Sequence, residues 1–170
     1  MSTTRRSVNS EIAGSYGEAM WTVQNRRQLS AEVPAPPDRV RAFYADLHNM
    51  TLVHPLVTSV ACVQRRDDPA GDYRDYQIRD RIPLGPLTLS VRYRASVLVT
   101  PDQLVHTESR QFPKVRLSGT VTFAPSPVGT TITEDVLISA PWPLAAFTVA
   151  QAVTAHTAML ARIAGYFSAR

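Results

Sequence analysis

A chain of 170 residues, 44% hydrophobic and 19% charged, is long enough for one well-buried core and too short for two ordinary domains. That composition excludes a wholly disordered or fibrous chain, and Gly 7 with Pro 13 excludes a collagen-like repeat. The formal net charge of +4 comes almost entirely from arginine, Lys114 being the sole lysine, and the arginines form no run, so no nucleic acid partner is expected.

Cys62 stands alone, which rules out an internal disulfide and leaves no cysteine partner for a zinc or iron–sulfur cluster; the cytoplasm is the default compartment. The opening MSTTRRSVNSEIAGSYGEAMW carries a basic pair but never reaches the apolar stretch of a secretory signal. Residues 1–22 read as a polar, aperiodic N-terminal arm, and 23–170 as the single domain. The arginine-rich, lysine-poor, alanine-rich composition suits a GC-rich bacterial genome.

Alternation over 26–33 predicts a strand, stopped by Pro34, Pro36 and Pro37. Pro37 suits a first helical turn and Asp38 complements its positive dipole end. Val40, Phe43, Tyr44 and Leu47 then recur at helical spacing, predicting a short helix to about Leu47. A second helical turn follows over 48–55 and ends at the His54-Pro55 step, because the residue before proline avoids helical angles.

From Val57 the period changes from 3.6 to 2, predicting a meander of strands at 57–66, 72–82, 87–100, 103–112, 115–124 and 130–139. Proline, glycine and aspartate mark the short turns, so neighbours should pair antiparallel. The strand 87–100 sets Leu87, Leu89, Val91, Tyr93, Ala95, Val97 and Val99 on one face, and its length of roughly 46 Å fits a compact domain only if the sheet curves strongly.

Pro143 then opens a long helix with Val149, Val153, His156, Leu160, Ile163 and Phe167 on one stripe. Residues 144–161 carry no formal charge over a length that could cross a bilayer, but Thr148, Gln151, Thr154, His156 and Thr157 are costly in hydrocarbon, so a soluble helix is expected. Its many alanines make it slim. A bent sheet cannot close onto a straight, slim rod along its whole length, which favours an internal cavity over a filled core.

Strand, short helix pair, six-stranded meander and long C-terminal helix together resemble the helix-grip fold of the START-like, or Bet v 1-like, SRPBCC superfamily. That superfamily includes polyketide cyclases, aromatases and lipid-binding domains. The resemblance covers about 24–168 and rests on the segment Val33-Pro34-Ala35-Pro36-Pro37-Asp38-Arg39-Val40, on Asp46-Leu47 with His54-Pro55-Leu56-Val57, and on Gly129-Thr130-Thr131-Ile132-Thr133. Leu52-Val53 stands where a tryptophan is usual. The resemblance implies an α+β fold of about seven strands wrapped around the last helix, with a pocket for a lipid, sterol, polyketide or other apolar molecule. It implies no common reaction.

Strand parity carries some polar groups inward. Tyr76, Ile78, Asp80 and Ile82 share one face; Ile132, Glu134, Val136 and Ile138 share another. Val91 and Tyr93 lie on the apolar face of the long strand, and Val153, His156 and Leu160 on the helix stripe. Tyr76, Ile78, Asp80, Val91, Tyr93, Glu134, Val136, Val153, His156 and Leu160 are therefore the expected ligand-facing set. A desolvated carboxylate drifts toward a pKa useful for proton transfer, so Asp80, Glu134 and His156 with Tyr93 admit three roles: an internal hydrogen-bond network, ligand orientation, or acid–base catalysis of a cyclase or dehydratase type. Non-enzymatic binding is the favoured reading. For strand 103–112 either Leu104, His106, Glu108 and Arg110 or Val105, Thr107 and Ser109 face inward.

The four histidines show no metal-ligand spacing, Asp67, Asp68 and Asp72 read as a solvated turn, and no phosphate loop, dinucleotide fingerprint or nucleophile elbow occurs, so neither metal nor cofactor is expected. Cys62 reads as a small buried or half-buried residue. Arg79, Arg81, Arg92, Arg94 and Arg116 fall on the outer parity, a patch that suits an acidic carrier protein or an anionic membrane surface if it is more than a solvated face.

Overall fold

A computed structural model describes Trp21–Ala169; the expected N-terminal arm lies, for residues 1–20, outside the described residues. The chain runs β1 (Thr22–Val33), α1 (Pro37–Ala45), a 3-10 turn (Leu47–Asn49), α2 (Met50–Val53), β2 (Val57–Asp68), β3 (Gly71–Leu84), β4 (Leu87–Val99), β5 (Val105–Gln111), β6 (Val115–Ser126), β7 (Gly129–Pro141) and α3 (Trp142–Ser168). The seven strands form one antiparallel sheet in the order β1-β7-β6-β5-β4-β3-β2, curved around α3 as a helix-grip fold.

The short helices form where their residues require it. Pro37 opens α1 with its φ already helical, and Val40, Phe43 and Tyr44 turn inward. The helix ends two residues before the expected Leu47, because Asp46 turns extended and its side chain accepts the His48 backbone N–H at 3.1 Å. His54, extended before Pro55, ends α2.

Register fixes the inner face. Asp80 lies opposite Val57 and Val91, Ala95 opposite Ser109, Val97 opposite Thr107, and Gly119 opposite Val136. On β7 inward and outward residues alternate without a break. The ambiguity of strand 103–112 resolves to Val105, Thr107 and Ser109 inside. His106 instead bonds Thr120 at 3.1 Å, and Glu108 holds Arg110 and Arg116 at 2.7 and 3.0 Å outside.

Three expectations are corrected. The apolar face of β4 is not buried throughout: Leu87 and Leu89 are exposed at the hairpin end, beyond the cover of α3. Cys62 is exposed, lying between two register shifts in β2 that interrupt inside–outside alternation. The helix stripe holds from His156 to Phe167 and is offset before it. Ala145, Ala155, Met159, Leu160 and Ile163 are the buried positions, while Val149 and Val153 face a separate shallow groove against Val23, Asn25 and Arg27 of β1.

The core is filled at one end. Phe43 packs on Tyr166 and Phe167 with ring centroids 4.6 and 5.4 Å apart, and Val40, Val53, Ile132, Leu160 and Ile163 complete the cluster. The helix α3 is long and apolar enough to cross a membrane, but Met159, Leu160 and Ile163 in its C-terminal half are buried in this core.

Two glycines take positive φ at turns, and only at the first is there no room for a side chain. Gly71 has φ +139°, and a Cβ there would stand 2.0 Å from the Val99 carbonyl oxygen; Gly85 has φ +58° with open space around it. Gly71→Ala should therefore destabilise by more than about 2 kcal/mol and lower Tm by roughly 4–8 °C, against about 1 kcal/mol for Gly85→Ala. Thermal melts of the two variants check this; equal losses would contradict the packing argument.

Candidate functional site

Under the N-terminal half of α3 the sheet and helix diverge, leaving a hollow of about 390 Å³. Large apolar side chains line it, including Leu47, Met50, Ile78, Val91, Val136 and Met159. The helix contributes Leu144, Phe147, Thr148, Gln151, Ala152, Ala155, His156 and Met159, a three-and-four spacing that places them on one stripe. This stripe is mostly small or polar, which is why the wall stands back from the sheet. At the mouth, Leu84, Leu89, Phe112, Leu144 and Phe147 are both lining and exposed, Phe112 to 91%.

Of the expected ligand-facing residues, Ile78, Asp80, Val91, Tyr93, Val136 and His156 lie on the wall. Tyr76 and Leu160 are packed in the core, Val153 turns to the β1 groove, and Glu134 sits one layer behind His156. Residues outside that expected set also reach the wall: Tyr44, His54, Thr107, Ser109, Gln111 and Gln151. Parity with Val105 is the signal that could have found Thr107 and Ser109. For His54 the sequence reports only the end of a helix, and a helix end carries no facing signal.

The polar groups fall into two clusters. In the first, Glu134, 1% exposed, accepts the Tyr44 hydroxyl at 2.5 Å and the His156 Nδ1 at 2.9 Å, joining β7, α1 and α3 at one point. Burial would push the Glu134 carboxyl up, but the His156 charge and hydrogen bond, with Tyr44, outweigh it and hold it below the usual carboxylate range. Burial likewise pushes His156 down, and the Glu134 charge and bond, with Asp80, lift it above the ordinary imidazole value. The two opposite shifts both favour the ionised pair. His54, its ring centroid 5.7 Å from that of His156, is the reverse case: burial and then the His156 charge drive it to about 3. Its Nδ1 accepts the Leu56 N–H at 3.3 Å, so the neutral ring carries its proton on Nε2.

The second cluster is Asp80 with Tyr93, whose hydroxyl donates to Asp80 Oδ2 at 3.1 Å. Burial raises the Asp80 carboxyl to about 6, against the opposing pull of the Tyr93 bond and the His156 charge. Burial raises the Tyr93 hydroxyl well above its usual value, so it stays a donor. Outside, the arginine patch is partly neutralised: Arg94 binds Asp75 at 2.8 Å and Arg116 binds Glu108, while Arg79 and Arg92 lie opposite each other in register. Among the described residues no three His, Cys, Asp or Glu side chains gather in a metal-ligating group.

The ion pair makes a prediction with a defined pH window. Glu134→Gln leaves His156 buried without its counter-charge, so its imidazole should titrate below the ordinary value instead of above it, as read by NMR of labelled histidine. The stability lost, about 3 kcal/mol, should be largest between about pH 4.5 and 6.5. It should shrink at higher pH as wild-type His156 deprotonates, and at lower pH as Glu134 protonates. An unchanged His156 titration would show that the pair is not coupled.

The profile of the family described as polyketide cyclase / dehydrase and lipid transport matches residues 22–167. None of the curated proteins compared matches the chain. Among solved structures it is similar to TTHA0849 from Thermus thermophilus, at 20% identity and TM-score 0.64 over 87% of this chain and 97% of that one. It is also similar to the di-domain ARO/CYC BexL from the BE-7585A biosynthetic pathway, at 18% identity and TM-score 0.67, covering 95% of this chain but 57% of BexL. The Zhui aromatase/cyclase from Streptomyces sp. R1128 is similar at 12% identity and TM-score 0.63, over 86% of this chain and 94% of that one. At such identities the likeness shows a shared fold.

Proposed function

Because the chain belongs to the polyketide cyclase / dehydrase and lipid transport family, we propose that it binds a hydrophobic small molecule, such as a lipid, sterol or polyketide, in the hollow between α3 and the sheet. The observation that carries this reading is the wall itself. Leu47, Met50, Val91, Val136 and Met159 surround a volume in the range of ligand pockets, and burying an apolar molecule there removes its surface and theirs from water at about 25 cal/mol per Å². Alanines at 152 and 155 keep the space open.

Filling that space is the direct test. Ala152→Phe should lower affinity for apolar ligands at least about tenfold in a native mass spectrometry or fluorescence displacement panel, whereas Ala150→Phe, in the outer groove, should leave it unchanged. Equal binding by both variants and wild type would place the ligand elsewhere.

A second reading is favoured by one observation: Asp80, His54 and His156 all reach the same apolar hollow. This is the disposition for aldol-type ring closure of a poly-ketone. The Asp80 carboxylate takes the proton α to one ketone, the resulting enolate carbon bonds to a second carbonyl carbon, and the His156 imidazolium protonates the new alkoxide; the neutral His156 then takes a second α-proton while the Asp80 acid protonates the hydroxyl, which leaves as water and restores both groups. Product formation from a poly-ketone should then fall about 100-fold in Asp80→Asn and in His156→Ala. Equal rates in wild type and both variants would remove the two residues from the mechanism, and a wild-type rate no faster than the uncatalysed reaction would leave simple binding as the function.

A further inference from the structure

Asp80 is half satisfied. It is 4% exposed, its Oδ2 accepts the Tyr93 hydroxyl, and its Oδ1 is buried with no hydrogen-bond partner. The sheet cannot supply one, since its cross-strand neighbours are Val57 and Val91 and its same-face neighbours along β3 are Ile78 and Ile82. An orphaned carboxylate oxygen is costly to bury, more so when charged. Glu134, in the same fold, shows the alternative, with each of its two oxygens engaged. The orphan at Asp80 differs in belonging to a side chain that lines the hollow, with Oδ1 just beneath the surface of its wall.

We propose that Asp80 Oδ1 is the acceptor for a hydroxyl on the bound molecule, so that the ligand is a neutral, largely apolar compound carrying a phenol or enol O–H. This rests on the reading of the hollow as a ligand chamber and deepens it. The charge on the wall selects the donor. An ammonium would carry a charge and three N–H donors into an apolar enclosure whose wall offers one orphan acceptor, and a carboxylate or phosphate would meet Asp80 itself. His54 is neutral and adds no charge, and Glu134 is already paired to His156. A hydroxyl adds no charge and satisfies the orphan. Tyr93, fixed on the other oxygen, holds the carboxyl plane.

Matched probes test this: 2-naphthol, 2-methoxynaphthalene and naphthalene, titrated against wild type, Asp80→Asn, Asp80→Leu and Tyr93→Phe. Wild type should bind the naphthol at least about tenfold more tightly than the ether, and the ether about as tightly as naphthalene. Tyr93→Phe should keep the preference and Asp80→Leu abolish it, with the ether bound as well as before. As a readout independent of any variant's folding, the Asp80 carboxyl carbon resonance should move on adding naphthol and not on adding the ether. Equal binding of naphthol and ether in wild type, or a preference that survives Asp80→Leu, overturns the proposal while the chamber stands. Binding of none of the three overturns the chamber and the proposal together.

Discussion

A straight helix held against a curved sheet touches it over only part of its length, and in this protein the size of the helix side chains decides which part. The helix α3 packs chiefly on β1 and β7 and, toward its C-terminus, on the short helices. There Leu160, Ile163 and Phe167 meet Phe43 and Ile132, and the space is full. One or two turns earlier the same helix presents Gln151, Ala152 and Ala155 toward β3, β4 and β5. The sheet is already committed to its curvature by β1–β7 pairing on one side, so it cannot follow the helix inward, and a void remains. Replacing those alanines with leucines would supply a filled core and remove the chamber; the slimness of the helix is a positional feature, not a global one.

Two buried carboxylates meet that frame in opposite ways. Glu134 is tied to α1 through Tyr44 and to α3 through His156, so three elements depend on one carboxyl group. Its burial is costly and its partners offset most of the cost, which makes the cluster a fixed reference for the height of α3 above β7. Asp80 lies on the far side of the void, where α3 has drawn away, and its one side-chain partner, Tyr93, comes from the sheet. Desolvation without full pairing leaves its proton affinity high. The geometry that opens the hollow therefore also strands Asp80, and structure and electrostatics have one origin.

Much of this is legible in the sequence. Strands are, because an inside–outside period of 2 survives almost unbroken on β7, and because parity carries Asp80 and Glu134 to the same face as their isoleucine and valine neighbours. The facing of α3 is not. With Arg162 the sole formal charge among its 27 residues, the helix is nearly apolar all round, and the bulkier valines at 149 and 153 outweigh the alanines in a stripe drawn by size. Size marks the side that packs on β1; the chamber side is marked by smallness. His54 escapes for a related reason: its place before Pro55 explains why α2 ends but contains nothing about direction. The exposed end of β4 reflects a third limit, since periodicity reports which residues share a face and not how far a cover extends.

The order β1-β7-β6-β5-β4-β3-β2 never closes into a barrel, so two strands end with backbone donors and acceptors facing outward, the template on which sheets of separate molecules join into fibres. On β2 that rim is broken by two register shifts and carries Arg65, Arg66, Asp67 and Asp68, whose charges would have to be stripped of water before another strand could dock. On β1 the rim carries Arg26 and Arg27. In an open sheet bent around a half-empty interior, irregularity and charge at the margins thus oppose the addition of a further strand.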